Sequence, residues 1–398
     1  MGMSAGRLIA SRLEFKAKMA VASIAISFFV IIIAVAVTQG FRSGISSQIR
    51  DFTGDIILRP QWTPSSAGAE QYMLENPCYL PDILALEEVE GVSATILRAG
   101  IVKGRESIYG ALFKAICSRE DIPQGGAVIG SSLARSESLK EGDRLDCYFV
   151  GEGSAGIKVR RFTVASIYDD SLGGAALGEG KSLIMLNEAD LRRINRWDES
   201  LASNLEITLK DRYCEPGRSI QTARKIGEII MLSGCSEQEM ASSVASCEDY
   251  SQIYDWLELI SYNVYALLFL MIAVAGFNMI SSVLIMLFRN ISTIGLLKTL
   301  GMTDRNVAEV FLRISAKAVV KGLVIGNLAA FALCYIQKWT RVIRLDPSNY
   351  YLSYVPIDLN LKGILAADLC AFFLILLLTL IPCLFISKID PATSVKAE

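Results

Sequence analysis

MAVASIAISFFVIIIAVAVTQGF, residues Met19 to Phe41, carries no charged side chain along its whole length. A bilayer core about 30 Å thick takes roughly 20 apolar residues in a helix to cross, so this stretch reads as a membrane span. Three more uncharged apolar runs follow at Leu259 to Phe288, Gly322 to Gln337 and Leu369 to Ser387. The run from Gly322 is short alone. Reading it back through Lys321 and Lys317 to Leu312 restores a spanning length, because a lysine near a helix end lays its stem along lipid and leaves its ammonium at the interface. The largest polar insert lies between the first two runs and has the composition of an ordinary folded domain. The pattern predicts an integral membrane α-helical protein with four transmembrane helices and a large α+β extracytoplasmic domain inserted between helices 1 and 2.

Sidedness follows from the basic residues. Arg7, Arg12, Lys16 and Lys18 precede the first run against a single Glu14, which places the N-terminus in the cytoplasm. The expected order is a cytoplasmic segment 1–18, helix 1 at 19–41, the periplasmic domain at 42–258 and helix 2 at 259–288. A cytoplasmic loop at 289–311, helix 3 at 312–337, a periplasmic loop at 338–363, helix 4 at 364–387 and a cytoplasmic tail at 388–398 complete it. Lys338, Arg341, Arg344 and Lys362 in the outer loop weaken the charge bias, but a first helix usually dominates topology. Thr38-Gln39-Gly40 offers no small-x-small cleavage site, so the first run reads as a retained anchor.

Composition excludes several chemistries. Histidine is absent, which removes Ser-His, Cys-His and His-ligated metal sites together. A net charge of -2 offers no basic surplus for a nucleic-acid partner. Cys78, Cys117, Cys147, Cys214, Cys235 and Cys247 fall in the outer domain with no C-x-x-C spacing, so disulfides are open and a metal site is not expected. Glu87, Glu88 and Glu90, like Asp169 and Asp170, read as solvated faces or turns.

Within the outer domain, strands are expected at Asp55 to Arg59, Ser93 to Arg98, Ser107 to Cys117, Ala127 to Gly130, Arg144 to Val150, Lys158 to Tyr168, Ser182 to Leu186 and Asn204 to Leu209. Helices are expected at Pro81 to Val89, Gly130 to Ser138, Asn187 to Asn195 and Pro216 to Leu232, with Asn187 ahead of Glu188 and Asp190 as a helix start. Gly174 to Ser182 has the look of a nucleotide loop, but five residues rather than four separate Gly174 from Gly180, so it reads as a flexible Gly-rich loop.

Between the second and third runs, Arg289 to Val307 holds a short amphipathic helix with Ile291, Ile294, Leu297 and Met302 on an apolar stripe and Leu296 and Leu300 beside it. Thr303 or Asp304 is placed to cap the next helix. Such an element either rests on lipid or plugs a groove on a soluble partner.

At this point the chain resembles a known family. Phe277-Asn-Met-Ile-Ser-Ser-Val-Leu-Ile-Met followed by Ile294-Gly-Leu-Leu-Lys-Thr-Leu-Gly-Met is similar to the signature of FtsX-like ABC transporter permeases, most of all the lipoprotein-releasing (Lol-type) branch, with MacB-like permeases next. Ser387-Lys-Ile-Asp-Pro-Ala-Thr-Ser-Val-Lys resembles the family's C-terminal pattern, and Gly40-Phe41, Val128-Ile-Gly-Ser-Ser-Leu-Ala and Gly142-Asp143 also fit. The resemblance implies that Ile291, Ile294, Gly295, Leu296, Leu297, Lys298, Leu300, Gly301 and Met302 form the helix that couples to a separate ATPase. The family's usual charged pair is replaced by Arg289-Asn290-Ile291-Ser292, so polar contacts to that ATPase would differ.

It further implies an ABC ATPase dimer in trans that holds ATP and Mg, with no cofactor on this chain. A second permease subunit, of the same or a sister chain, would complete the complex. Acylated lipoprotein would be the cargo, passed to a soluble periplasmic carrier by mechanotransmission. Cargo-facing positions would be Ile32, Val35, Gln39, Phe41 and Ile45 on helix 1 and its extension, and Tyr262, Tyr265, Phe269 and Phe277 on helix 2, although lipid contact or helix packing accounts for each equally well. Asn278, Asn327 and Asp368 read as hydrogen-bonding groups between helices, and Pro382 as a kink. Two alternatives stand beside this reading: a MacB-like efflux permease and an FtsX-type transmembrane regulator of a cell-wall hydrolase. Catalysis by this chain is not expected, since neither histidine nor a diagnostic acid pair is present.

Overall fold

The computed structural model describes residues 18–61, 71–104, 107–117, 121–150, 156–168, 181–236, 239–345, 352 and 354–384. The N-terminal basic segment, the Gly174 loop, Asp169, Asp170 and the Ser387 to Lys396 tail lie outside them. The chain divides into two units: residues Met1–Ser43, Leu257–Arg344 and Tyr354–Glu398, and residues Gly44–Trp256 with Leu345–Ser353.

Among the described residues, four helices are long and apolar enough to cross a membrane: α1 (Lys18–Thr53), α7 (Ser251–Arg289), α9 (Asp304–Thr340) and α10 (Leu361–Leu384). All but α10 greatly outrun the spans read from hydropathy, because a helix does not stop where its residues become polar. α1 continues twelve residues past Phe41, and α9 begins at Asp304 rather than Leu312. Thr303 occupies the cap position of α9, but its side chain makes no capping bond.

The main apolar cluster of the membrane unit takes Ile24 and Phe28 from α1, Ala275 and Met279 from α7, Phe311 and Ile314 from α9, and Ala371 and Ile375 from α10. In lipid, close backbone approach replaces the hydrophobic drive, and small residues permit it. Gly322 and Gly326 of α9 provide this, since a Cβ on Gly326 would lie 2.4 Å from the Ala25 carbonyl oxygen. Polar residues finish the packing as expected: Asn278 donates to Ser23 Oγ, and Asn327 donates to Asp368 Oδ2 at 2.6 Å.

The second unit contains β1 (Ile56–Pro60), β2 (Met73–Leu74), α2 (Leu80–Leu84), β3 (Val89–Lys103), β4 (Ile108–Ile116), β5 (Gly126–Gly130), α3 (Ser131–Ser136), β6 (Arg144–Val150), β7 (Ile157–Tyr168), β8 (Lys181–Leu186), α4 (Glu188–Asn195), β9 (Leu201–Ala202), β10 (Asn204–Leu209), α5 (Pro216–Leu232), β11 (Ala241–Ala245) and α6 (Ser246–Asp249). Nine of these strands form one sheet in the order β11-β1-β10-β3-β4-β8-β5-β7-β6. β3 also pairs with β6, so strands β3, β4, β8, β5, β7 and β6 close on themselves. Phe113, Phe149, Phe162 and Ile184 fill the apolar core of this unit.

Two expectations for this unit are corrected, and one strand is added to them. The helix read over Pro81 to Val89 ends at Leu84, and Val89 instead opens a strand. The strand read as Ser93 to Arg98 runs the full length of β3 because it changes partners within one sheet, pairing with β10 over its first half and with β4 and β6 over its second. β11, rich in serine, gave no apolar alternation to read. Asn187 does cap α4, its side chain accepting from the Ala189 amide at 2.9 Å. Cys78 and Cys235 are joined in a disulfide whose Cα atoms lie 6.3 Å apart. Cys117 and Cys147 are free and buried, while Cys214 and Cys247 are free and half-buried.

Candidate functional site

The turn after α7 leads into a short helix held against the long ones. α7 ends at Arg289, and Asn290 folds its amide back onto the Met286 carbonyl at 2.8 Å. A second short helix, α8 (Ile291–Thr299), starts at once. Ile294 is buried and belongs to the same core cluster as the long helices, with Met302 packed against that cluster. Gly295 is buried, Ile291 is half-buried and Gly301 is exposed. Gly301 turns the chain at φ +90, a conformation that L side chains rarely adopt.

Opposite the buried Ile294, Leu296 is 56% exposed and Leu300 77%. The side chain of Leu297 lies outside the described residues. Lys298 is withdrawn from solvent and pairs with Asp304, at 2.7 Å, in the first turn of α9. An acid there also complements the positive end of that helix. α8 is therefore anchored on one side by Ile294 and Met302, pinned at its end to α9, and left with two leucines facing out.

The positions read as cargo-facing separate into two sets. Tyr262, Tyr265, Phe269 and Phe277 are all exposed along α7. On α1, Val35, Gln39 and Phe41 are half-buried. Ile32 and Ile45 do not join that face: Ile32 is buried in a cluster with Ala330 and Ile364, and Ile45 is fully buried. Both are spent on packing inside this chain, which hydropathy alone could not distinguish from outward apolar contact. The structure adds Gly40, where a Cβ would lie 2.3 Å from the Pro356 carbonyl oxygen. Beside it Asp358 donates its amide to the Ala36 carbonyl at 3.2 Å, so the segment after Val355 lies directly on α1.

Residues 265–391 match the family described as FtsX-like permease C-terminal, and residues 19–225 match the MacB-like periplasmic core domain. The chain belongs to the FtsX-like permeases. Among the proteins similar to this permease is the lipoprotein-releasing system transmembrane protein LolC of Xylella fastidiosa, 20% identical over 417 residues that cover 97% of this chain and 95% of that one. The lipoprotein-releasing system transmembrane protein LolE of Haemophilus influenzae is 21% identical, over 94% of this chain and 93% of that one. The solved periplasmic region of MacB from Actinobacillus actinomycetemcomitans matches 50% of this chain over 91% of its own length, at 10% identity and a TM-score of 0.30. The permease is a multi-pass protein of the inner membrane with a periplasmic domain, and a component of an ABC transporter.

Proposed function

We propose that this permease extracts lipoproteins from the inner membrane, driven by a separate ATPase, and hands them to a periplasmic carrier. The likeness to LolC over nearly the whole length of both chains carries the reading. The physics of the cargo fits it. Each buried methylene of an acyl chain contributes about 0.8 kcal/mol to membrane binding, so a lipoprotein leaves a bilayer only if work is done on it. α8 supports the coupling, because Leu296 and Leu300 face outward from a helix held by Ile294 and Lys298. A helix presenting leucines in this way suits a groove on a soluble partner. Displacement of α8 would pass to α7 and α9, which flank it in sequence. In this reading the chain itself carries out no catalysis, and ATP and Mg reside in the partner ATPase dimer. A second permease subunit completes the complex, and the exposed aromatics of α7 contribute a face toward cargo.

The test is purification of the permease from its native membrane in mild detergent, followed by mass spectrometry of proteins and acylated peptides. A small ATPase with acylated lipoproteins is expected. A cell-wall hydrolase or an outer channel without acylated cargo would replace the proposal with a regulator or an efflux pump.

A further inference from the structure

The head unit, residues 44–256, receives the end of α1 in an unusual way. α1 stops at Thr53 and Gly54 follows at φ +69, its amide bonded to the Arg50 carbonyl at 2.7 Å. The chain then enters β1, which lies between β10 and β11, with no linker between helix and sheet. Asp55 fixes the corner: its amide donates to the Ile207 carbonyl at 2.9 Å and its carboxylate accepts from the Leu209 amide at 2.8 Å. Ser246, which opens α6 and leads into α7, donates its hydroxyl to the Gly54 carbonyl at 2.5 Å and its amide to the Asp55 carbonyl at 2.9 Å. The head-side ends of α1 and α7 thus meet at one corner of the sheet.

One buried charge remains at that corner. Lys114, on β4, has a side chain only 3% exposed. A lysine ammonium has three protons to donate. Here the acceptors are the Phe52 carbonyl and the two carboxylate oxygens of Glu206 on β10, the latter at 2.7 and 2.8 Å. The Phe52 ring also lies 5.3 Å from the ammonium. The last carbonyls of a helix lack intrahelical partners and form the negative end of its dipole, so a cation there is both a cap and a charge complement. Burying an ion pair is a poor route to stability, since well-packed apolar residues of the same volume are often as good or better. An ammonium on β4 whose protons all go to one helix end and to β10, the strand on the far side of β3, calls for a role in position.

We propose that Lys114 is a positioning residue that fastens the C-terminal end of α1 to the head sheet, so that displacement of α1 moves β4 and β10 with it. This rests on the reading of the permease as an ATP-driven releasing machine. Without the tie, ATP would still be hydrolysed, but motion of α1 would be lost in the turn at Gly54.

The test uses the complete complex in proteoliposomes, with its ATPase and second permease subunit. It compares wild type with Lys114→Met, Lys114→Arg and the double variant Lys114→Met/Glu206→Leu. Three quantities are read: ATP hydrolysis, lipoprotein released to carrier per ATP, and the ATP-dependent change in hydrogen exchange of β4 and β10. The double variant leaves no unpaired carboxylate, so it keeps a folded comparison available if Lys114→Met unfolds the head. The expected result is near-normal hydrolysis with release per ATP lowered about tenfold in the methionine variants, loss of the exchange response, and recovery in Lys114→Arg. Unchanged release per ATP and an unchanged exchange response in the folded double variant would overturn the tie. If wild type hydrolyses ATP and transfers no lipoprotein, the functional reading fails by itself, and the exchange response alone decides the role of Lys114.

Discussion

Asp55 shows how one side chain serves the corner at a cost. Its carboxyl is pushed above the ordinary carboxylate range, chiefly by burial, and the Leu209 amide and Arg50 pull it only part of the way back. A group whose folded pKa is raised contributes stability that is fully present below its unfolded pKa, about 4, and is lost as the pH rises through the folded value. Asp55→Asn keeps an acceptor for Leu209 and carries no charge. Its stability relative to wild type should therefore rise from acid pH through the raised value and level off above it, measured by pulse proteolysis of the full chain in detergent. A difference that does not change with pH would contradict burial as the governing cause. In the membrane unit, Asn327 and Asp368 form a pair, and among the described residues Asn327 Oδ1 and Asp368 Oδ1 are buried with no hydrogen-bond partner. Asn327→Ala strands the acid, and hydrogen bonds of this kind between membrane helices are worth about 0.6 kcal/mol on average, up to about 1.7. A loss in that range is expected from steric-trap unfolding in bicelles, and a neutral or stabilising outcome would mean that the pair contributes nothing to packing.

At the scale of elements, α8 is where sequence and structure agree on location and differ in detail. The apolar stripe of Ile291, Ile294, Leu297 and Met302 was legible from its spacing, and burial of Ile294 and packing of Met302 follow that pattern, while the side chain of Leu297 lies outside the described residues. Which leucines face outward was not legible, because on so short a helix Leu296 and Leu300 could have joined the stripe or left it. Only the packing of Ile294 into the long-helix cluster decides the rotation. Leu296→Ser with Leu300→Ser should leave the permease folded in the membrane while ATPase recovery on pull-down falls by about tenfold, the loss expected when apolar anchors at the centre of an interface are removed. Retention of the full ATPase complement would show that α8 lies on lipid instead. The close approach at Gly322 and Gly326 came from the structure, where both glycines of α9 lie against α1. The burial of Ile32 was not legible either, for a hydrophobic residue looks the same in sequence whether it meets lipid, cargo or its own chain. The course of β3 through two pairings escaped for a related reason: local alternation gives a strand's phase but not the number of its neighbours.

Over the whole chain, the membrane spans and the inserted domain were the most legible features, because the hydrocarbon thickness leaves little choice about them. The buried tie of Lys114 to the end of α1 was the least legible, since it joins residues 62 positions apart through backbone and charge rather than pattern. The disulfide belongs to this scale as well, because Cys78 and Cys235 are 157 residues apart and enclose most of the head. A cross-link over so long a loop removes much of the freedom of the unfolded chain and contributes typically 2–4 kcal/mol. A periplasmic domain folds where such bonds persist. The four free cysteines of the head have their thiols raised by burial, Cys117 to about 12, so none offers a ready thiolate to exchange with it. Treatment with dithiothreitol, or the double variant Cys78→Ser/Cys235→Ser, should lower the midpoint for head unfolding by the same amount, leave the membrane helices in place, and leave Cys117 and Cys147 unmodified by maleimide until the head unfolds. If the midpoint is indifferent to both treatments, the head draws its stability from the closed sheet alone and the bond between Cys78 and Cys235 is dispensable to it.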